Sequence, residues 1–196
     1  MRWLDELGLG DVASVGGKNA SLGEMLRNLG SQGIKIPPGF ATTADAYWRF
    51  IDTNRLGPLI ASKVAELKEG KATETETGSA IRSAILKDEW PEDLAGVICQ
   101  AYQDLSQRVG LDEAGVAVRS SATAEDLPEA SFAGQQETFL NIRGKASLLG
   151  ACRRCLASLF TDLGARRERG ASNRRPRRVS GVHAAARRPH YPTDRP

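Results

Sequence analysis

Strand signals come late in this chain, and they come as a pair. A short β-branched run, Val116-Ala117-Val118, delivers Arg119 into a segment dense in small and hydroxylated residues, Ser120-Ser121-Ala122-Thr123-Ala124. A second small-residue turn, Ala133-Gly134, leads into another apolar run that ends at Ile142. Gly115–Arg119 and Glu137–Ile142 therefore read as strands. The text before them is helical in pattern. Helices first and strands later favour an α+β layout with a small antiparallel sheet over a regular βαβ alternation. A fixed guanidinium set among many backbone N–H groups is also how a chain presents itself to an anion such as a phosphate.

The helical text can be followed in order. Leu22, Met25, Leu26 and Leu29 recur at helical spacing after Gly16-Gly17-Lys18. Ser14 or the glycines can open that helix, and Gly30 or Gly33 can close it. Ile34 to Phe40 is a short extended run ended by Pro37 and Pro38. Thr42 or Thr43 can cap a helix carrying Tyr47, Trp48, Phe50 and Ile51, and residues 56–68 give another. Lys71 to Gly78 reads as a loop or a solvated helix start, with Ile81, Ile85 and Leu86 in a short helix after it. Pro91 opens the clearest helix, with Leu94, Val97, Ile98, Ala101, Tyr102 and Leu105 on one face and Gly110 at its end. A last helix covers roughly 146–160.

Charge divides the chain in two. Residues 1–162 hold 17 Lys and Arg against 22 Asp and Glu, a balance of −5. Residues 163–196 hold 10 Arg against 2 acids, a balance of +8. This second part has one leucine and no isoleucine, phenylalanine or tryptophan. Its composition predicts a tail that buries no core and lacks fixed structure. It could be an arm for nucleic acid, since arginines neutralise phosphates. The preferred expectation is different. The last helix breaks off after Phe160-Thr161-Asp162 without a stop signal, and Arg/Pro/Ala/Gly-heavy text is what GC-rich coding DNA yields out of frame. Another frame beyond the Asp162 codon is then expected to continue the helix.

No window reaches the roughly 18 uninterrupted apolar residues of a membrane helix, and the acidic N-terminus does not read as an export signal. A cytoplasmic protein without a membrane partner is expected. Cys99, Cys152 and Cys155 are too few for a disulfide framework. Cys152 and Cys155 form a CxxC, but Leu148, Leu149, Leu156 and Leu159 surround them at helical spacing, which puts both on a buried face. A zinc site needs two further ligands that the spacing does not offer.

Gly16-Gly17-Lys18 taken with the arginine segment points to ATP. Each motif alone also fits a plainer role. The glycines can be a turn and Lys18 a solvated first-turn residue, and the GxxxxGK[ST] spacing of a Walker loop is absent. Arg119 can be a strand-end ion-pair partner. Glu125 and Asp126 can be metal ligands, although a solvated loop pair is the preferred reading. Ser120, Ser121 and Thr123 need a base to act as nucleophiles, and the histidines, His183 and His190, lie in the tail.

Together the residues resemble one family. Val15 to Met25, Ile36 to Thr43 and the block from Val116 to Ile142 are similar to the signatures of phosphoenolpyruvate synthases (pyruvate, water dikinases) over residues 3–162. The resemblance implies the first half of an ATP-grasp domain of the pyruvate phosphate dikinase N-terminal type. Pyruvate, phosphate dikinases share this architecture, and rifampin phosphotransferases carry a very similar block, so both remain alternatives. The implied binding residues are Lys18 and Arg119 on the ATP phosphates, Gly134 at a close backbone approach and Thr138 as a hydroxyl contact. A mobile lysine charge and a planar arginine fork suit a polyphosphate.

The implied reaction converts ATP, pyruvate and water to phosphoenolpyruvate, AMP and phosphate through a phosphohistidine on another domain, in a homodimeric enzyme. The Mg²⁺ ligands are expected in the second half of the ATP-grasp domain, so no catalytic or metal residue is assigned in this chain. The chain alone is expected to be inactive. A non-catalytic fragment and a small polyanion-binding module with a basic tail stand as the remaining alternatives.

Overall fold

The computed structural model describes residues 1–30, 32–33, 36–122, 138–161 and 180–186. The chain opens with β1 (Arg2–Trp3) and two single 3₁₀ turns, Leu4–Glu6 and Leu9–Asp11. A one-turn helix, α1 (Val12–Val15), leads into α2 (Gly17–Gly30) and then β2 (Gly39–Ala41). Four helices follow: α3 (Ala44–Thr53), α4 (Leu56–Lys68), α5 (Glu74–Lys87) and α6 (Glu92–Arg108). Then come β3 (Val116–Ala122), β4 (Thr138–Ile142), α7 (Lys145–Ser158) and β5 (Ser180–Ala186). The five strands form one antiparallel sheet in the order β1-β2-β5-β3-β4. Helices before a small antiparallel sheet is the α+β order that the sequence predicts.

Most of the helices pack on one face of this sheet, while α1 and α2 with the first turns pack on the other at Ala41. Phe40, Val116, Val118, Ala184 and Ala186 meet Phe50, Ile81, Ile85, Ile98, Tyr102, Leu105 and Leu148 in one buried cluster. Of the periodic residues of the Pro91 helix, Ile98, Ala101, Tyr102 and Leu105 are buried as their spacing predicts, Leu94 is partly buried, and Val97 is exposed near the start of the helix. Cys152 and Cys155 also lie in this core as free thiols. Burial, and then the nearby Cys155 and Cys99 thiols, push the Cys152 thiol well above its ordinary value, which keeps it protonated and inert. A smaller cluster of Leu4, Leu7, Val15 and Ala41 seats α2 on the first turns. Gly23 makes that seat possible, because a Cβ there would come 2.5 Å from the Leu7 carbonyl oxygen and 2.7 Å from that of Leu4.

Local chemistry sets several boundaries. Thr43 stands immediately before α3 in extended conformation, as expected of a cap, but its side chain makes no capping bond. The polar run after Lys71 resolves into a capped start for α5. The Thr73 hydroxyl accepts from the Glu76 N–H at 3.2 Å, and the Glu76 carboxylate accepts from the Thr73 N–H at 2.8 Å. That backbone bond, with the Thr73 hydroxyl, holds the Glu76 carboxyl below its ordinary value.

The entry to β3 is fixed from α6. Tyr102 Oη donates to the Ala114 carbonyl at 2.8 Å and accepts from the Gly144 N–H at 3.0 Å. Ser106 Oγ donates to the Tyr102 carbonyl and accepts from the Ala114 N–H at 3.0 Å. Both backbone groups of buried Ala114 are thus satisfied by side chains of one helix.

Three differences from the sequence reading have physical causes. β3 runs three residues past Arg119, to Ala122, because it has a strand on each side. The last helix stops at Ser158, because Leu159 and Phe160 turn back onto Leu156 and Ala157 in i→i+3 bonds, and Arg82 Nη1 donates to the Phe160 carbonyl at 2.9 Å just beyond. The expectation that residues 163–196 lack structure fails for Ser180–Ala186. That segment is a strand with Ala184 and Ala186 buried, because alanines need no bulky partner to fit a sheet already lined by Phe40 and Val118.

Two measurements test these contacts. Replacing Tyr102 with Phe keeps the ring and leaves the Ala114 carbonyl and Gly144 N–H without their partner, so urea unfolding should show a loss of about 1–3 kcal/mol. Glu76 has a lowered carboxyl in the folded state, so its contribution is present above the unfolded-state value and is lost as pH falls through the folded one. The stability advantage of the parent over Glu76→Gln should therefore shrink on acidification below the ordinary value near 4.5.

Candidate nucleotide-phosphate site

Gly16 takes φ +84°, a conformation natural to glycine, and it lies directly against the end of β3. A Cβ at Gly16 would sit 2.4 Å from Ser121 Oγ and 2.7 Å from the Ser121 carbonyl oxygen. No other residue type could bring the two backbones this close. The approach is fastened by Asn19, whose backbone N–H donates to Ser121 Oγ at 3.3 Å while its Nδ2 donates to the Val15 carbonyl at 2.7 Å. Asn19, Ser120 and Ser121 are fully buried. Asn19 Oδ1 finds no hydrogen-bond donor among the described residues. The start of α2 is thereby docked onto the exit of β3, a junction of helix N-terminus and strand end.

The predicted contact residues stand around this junction. Lys18 is the second residue of α2 and is half-buried. Arg119 is exposed on β3, between the buried Val118 and the buried Ser120. Thr138 is the first residue of β4, is exposed, and is the register partner of Arg119. Directly opposed residues share a face of the sheet, so the guanidinium and the hydroxyl stand on the same face. The opposite face carries Val116 and Val118 into the core. The fold therefore brings Arg119 and Thr138 side by side and ties the segment bearing Lys18 to the same strand. Gly134, Glu125, Asp126 and Thr123 lie outside the described residues.

Sequence reasoning missed Asn19 and Ser121 as the residues that hold this junction. The available signal was the stripe Gly16, Asn19, Ala20, Gly23 along α2, small or buried at helical spacing. Such a stripe marks a close backbone approach rather than a lipophilic face.

The donor set suits a polyphosphate. A lysine point charge, an arginine fork, a hydroxyl and helix-start N–H groups all donate or attract negative charge. Among the described residues no group of three or more His, Cys, Asp or Glu is arranged to hold a metal ion.

Residues 12–174 match the family model described as the pyruvate phosphate dikinase AMP/ATP-binding domain. The chain belongs to that family. It is 48% identical over 165 residues to the phosphoenolpyruvate synthase of Aquifex aeolicus, covering 82% of this chain and 19% of that protein. It is 49% identical over 167 residues to the phosphoenolpyruvate synthase of Helicobacter pylori, covering 83% of this chain and 20% of the relative. The phosphoenolpyruvate synthase of Pseudomonas aeruginosa is 50% identical over 160 residues, 81% of this chain and 20% of that protein. The chain thus spans about one fifth of the length of the curated relatives it matches, and it corresponds to their N-terminal region. Among the described residues no helix is long and apolar enough to cross a membrane.

The close approach at Gly16 gives a direct test. Gly16→Ala should destabilise the fold by more than about 1 kcal/mol, since the new Cβ meets Ser121 and the φ is strained. Ser121→Ala should cost less by the same urea titration, because it leaves the backbone approach intact.

Proposed function

We propose that this chain is the triphosphate-holding half of an ATP-dependent phosphotransferase of the phosphoenolpyruvate synthase type. The observation that carries the reading is the Gly16–Ser121 approach, which docks the Lys18 helix start on the strand that bears Arg119. Lys18 serves as a mobile charge on the nucleotide phosphates. Arg119 offers two parallel N–H donors from a strand whose neighbours are buried, so its position is set before the ligand arrives. Thr138 adds a hydroxyl on the same face, and Gly134 allows a backbone approach without a Cβ. Family membership and the names of the relatives support the substrate class.

In the whole enzyme the reaction is ATP, pyruvate and water giving phosphoenolpyruvate, AMP and phosphate, with the phosphoryl group carried by a histidine of another domain. Mg²⁺ would neutralise developing phosphate charge there, and its ligands belong to the part of the relatives' chain beyond the matched fifth. This chain's own residues bind and orient the polyphosphate. A cytoplasmic, homodimeric full-length enzyme goes with this reading.

The experiment is a chimera in which residues 1–161 replace the matched region of the Aquifex aeolicus enzyme. Pyruvate-dependent formation of AMP from ATP is the expected result. Lys18→Ala or Arg119→Ala in the chimera should lower kcat/KM by about 100-fold or more, the scale for losing a charge-stabilising donor. A folded chimera that turns over normally with both residues replaced would remove the assignment. The 196-residue chain alone should form no AMP in a pyruvate-dependent way.

A further inference from the structure

Spacing alone makes Leu22, Met25, Leu26 and Leu29 the core face of α2, because large apolar residues recur there every three or four positions. The fold buries a different side. The buried residues of α2 are Gly17, Asn19, Ala20 and Gly23. This small side meets Ser121 through Asn19 and the Leu4 and Leu7 carbonyls through Gly23. Of the four large residues, Leu26 alone packs on a buried cluster. Met25 is 41% exposed, and Leu22 and Leu29 are half-buried. Among the described residues neither apolar cluster takes any of these three.

The helix cannot roll this stripe inward. Gly23 has no room for a side chain, and the Asn19 N–H is bonded to Ser121 Oγ. On the next flank Glu24 and Arg27 pair at 3.1 Å beside Gly8. The side left outward holds Lys18, Ser21, Leu22, Met25, Asn28 and Leu29. Lys18, Leu22, Met25 and Leu29 follow one another at helical spacing, so one flank carries the lysine at its start and three apolar side chains after it.

Apolar side chains left open in a row mark a contact surface. Its size decides what can cover it. Three such side chains offer on the order of 200–300 Å², whereas a stable contact between separate molecules takes about 800 Å² from each partner. A second copy of this chain would be held too weakly. A body on the same polypeptide needs far less area, because the tether keeps it at high local concentration. The family match runs through α2, and the chain spans about one fifth of the relatives' length. The polypeptide beyond that fifth is such a tethered body.

We propose that the Leu22, Met25 and Leu29 flank of α2 is a docking stripe for the part of the longer chain that follows the matched region in these enzymes. A body seated there abuts Lys18 and borders the phosphate site from the helix side. The inference rests on the proposed function for its occupant. Its test uses no nucleotide, so it can fail while the Lys18 and Arg119 assignment stands, and the reverse.

Met25 reports its own cover, since Met1 is the one other methionine of the chain. Dilute hydrogen peroxide converts an open methionine to the sulfoxide, and peptide mass spectrometry reads the rate at Met25. In the 196-residue chain Met25 should oxidise at close to the rate of a short peptide. In the chimera that carries residues 1–161 it should oxidise about 10-fold more slowly, or slower still. Leu29→Glu in the chimera keeps the probe in place and should restore the fast rate. If Leu29→Glu unfolds the chimera, Ser21→Arg puts a charge on the same exposed flank, one turn before Met25, and should do the same. Equal rates in chain and chimera overturn the proposal. Protection that survives the variant also overturns it, because the cover then sits elsewhere. So does slow oxidation in the 196-residue chain: if it grows with concentration the occupant is a second copy, and if it does not the chain covers the stripe itself.

Discussion

A backbone lying directly on a backbone, Gly16 against Ser121, is the contact on which the arrangement around the site depends. It is permitted by one missing Cβ and a positive φ, and it is held by hydrogen bonds of Asn19. Everything else near the junction follows. The start of α2 cannot slide along β3, because the serine hydroxyl takes the helix N–H. β3 cannot tilt, because α6 fixes its entry through Tyr102 and Ser106. The exposed Arg119 is therefore an exposed group on an over-determined strand, which is how a surface charge becomes a positioned one.

The helical layer has a different task. It buries the face that carries Phe40, Val116 and Val118, while the opposite face carries Arg119 and Thr138 and, at Ala41, the smaller apolar cluster. Ties between the layers are directional as well as apolar. Trp90 Nε1 donates to the Leu149 carbonyl at 2.9 Å, Arg82 reaches the Phe160 carbonyl, and Arg153 reaches the Asp88 carbonyl. Arg82 and Arg153 satisfy carbonyls just past helix ends, where the helix offers no backbone donor, whereas the indole bond adds a tie to a carbonyl inside α7. Surface ion pairs such as Arg49–Asp93 are open to solvent and add little.

Much of the layout was legible in the chain, because helical periodicity and β-branched runs report directly on a single buried face. The α6 pattern and the buried CxxC show this, and so do the two runs read as strands on either side of the Gly134 turn. What could not be read was long-range. Nothing near Phe160 announces that its carbonyl will accept from Arg82. Nothing in Ser-Gly-Val-His-Ala-Ala-Ala marks a strand, for alanine and glycine have weak β propensity and the strands it pairs with, β2 and β3, lie far away in the chain. The roles of Asn19 and Ser121 were hidden for the same reason. A buried polar residue has a meaning only once its partner, about a hundred positions away, is known.

The strand order also carries a consequence for how the molecule comes into being. β2 and β3 are adjacent to the middle strand, yet that strand is the last of the five along the chain. At the usual pace of synthesis, about 5–20 residues per second, several seconds separate the emergence of Ala122 from that of Ala186. During that interval the helices can already pack, since their contacts are local, while two strands wait with open edges. A newborn chain is thus most vulnerable to pairing with a neighbour until residues 180–186 have emerged, and a holdase chaperone that covers extended apolar edges would act in that window.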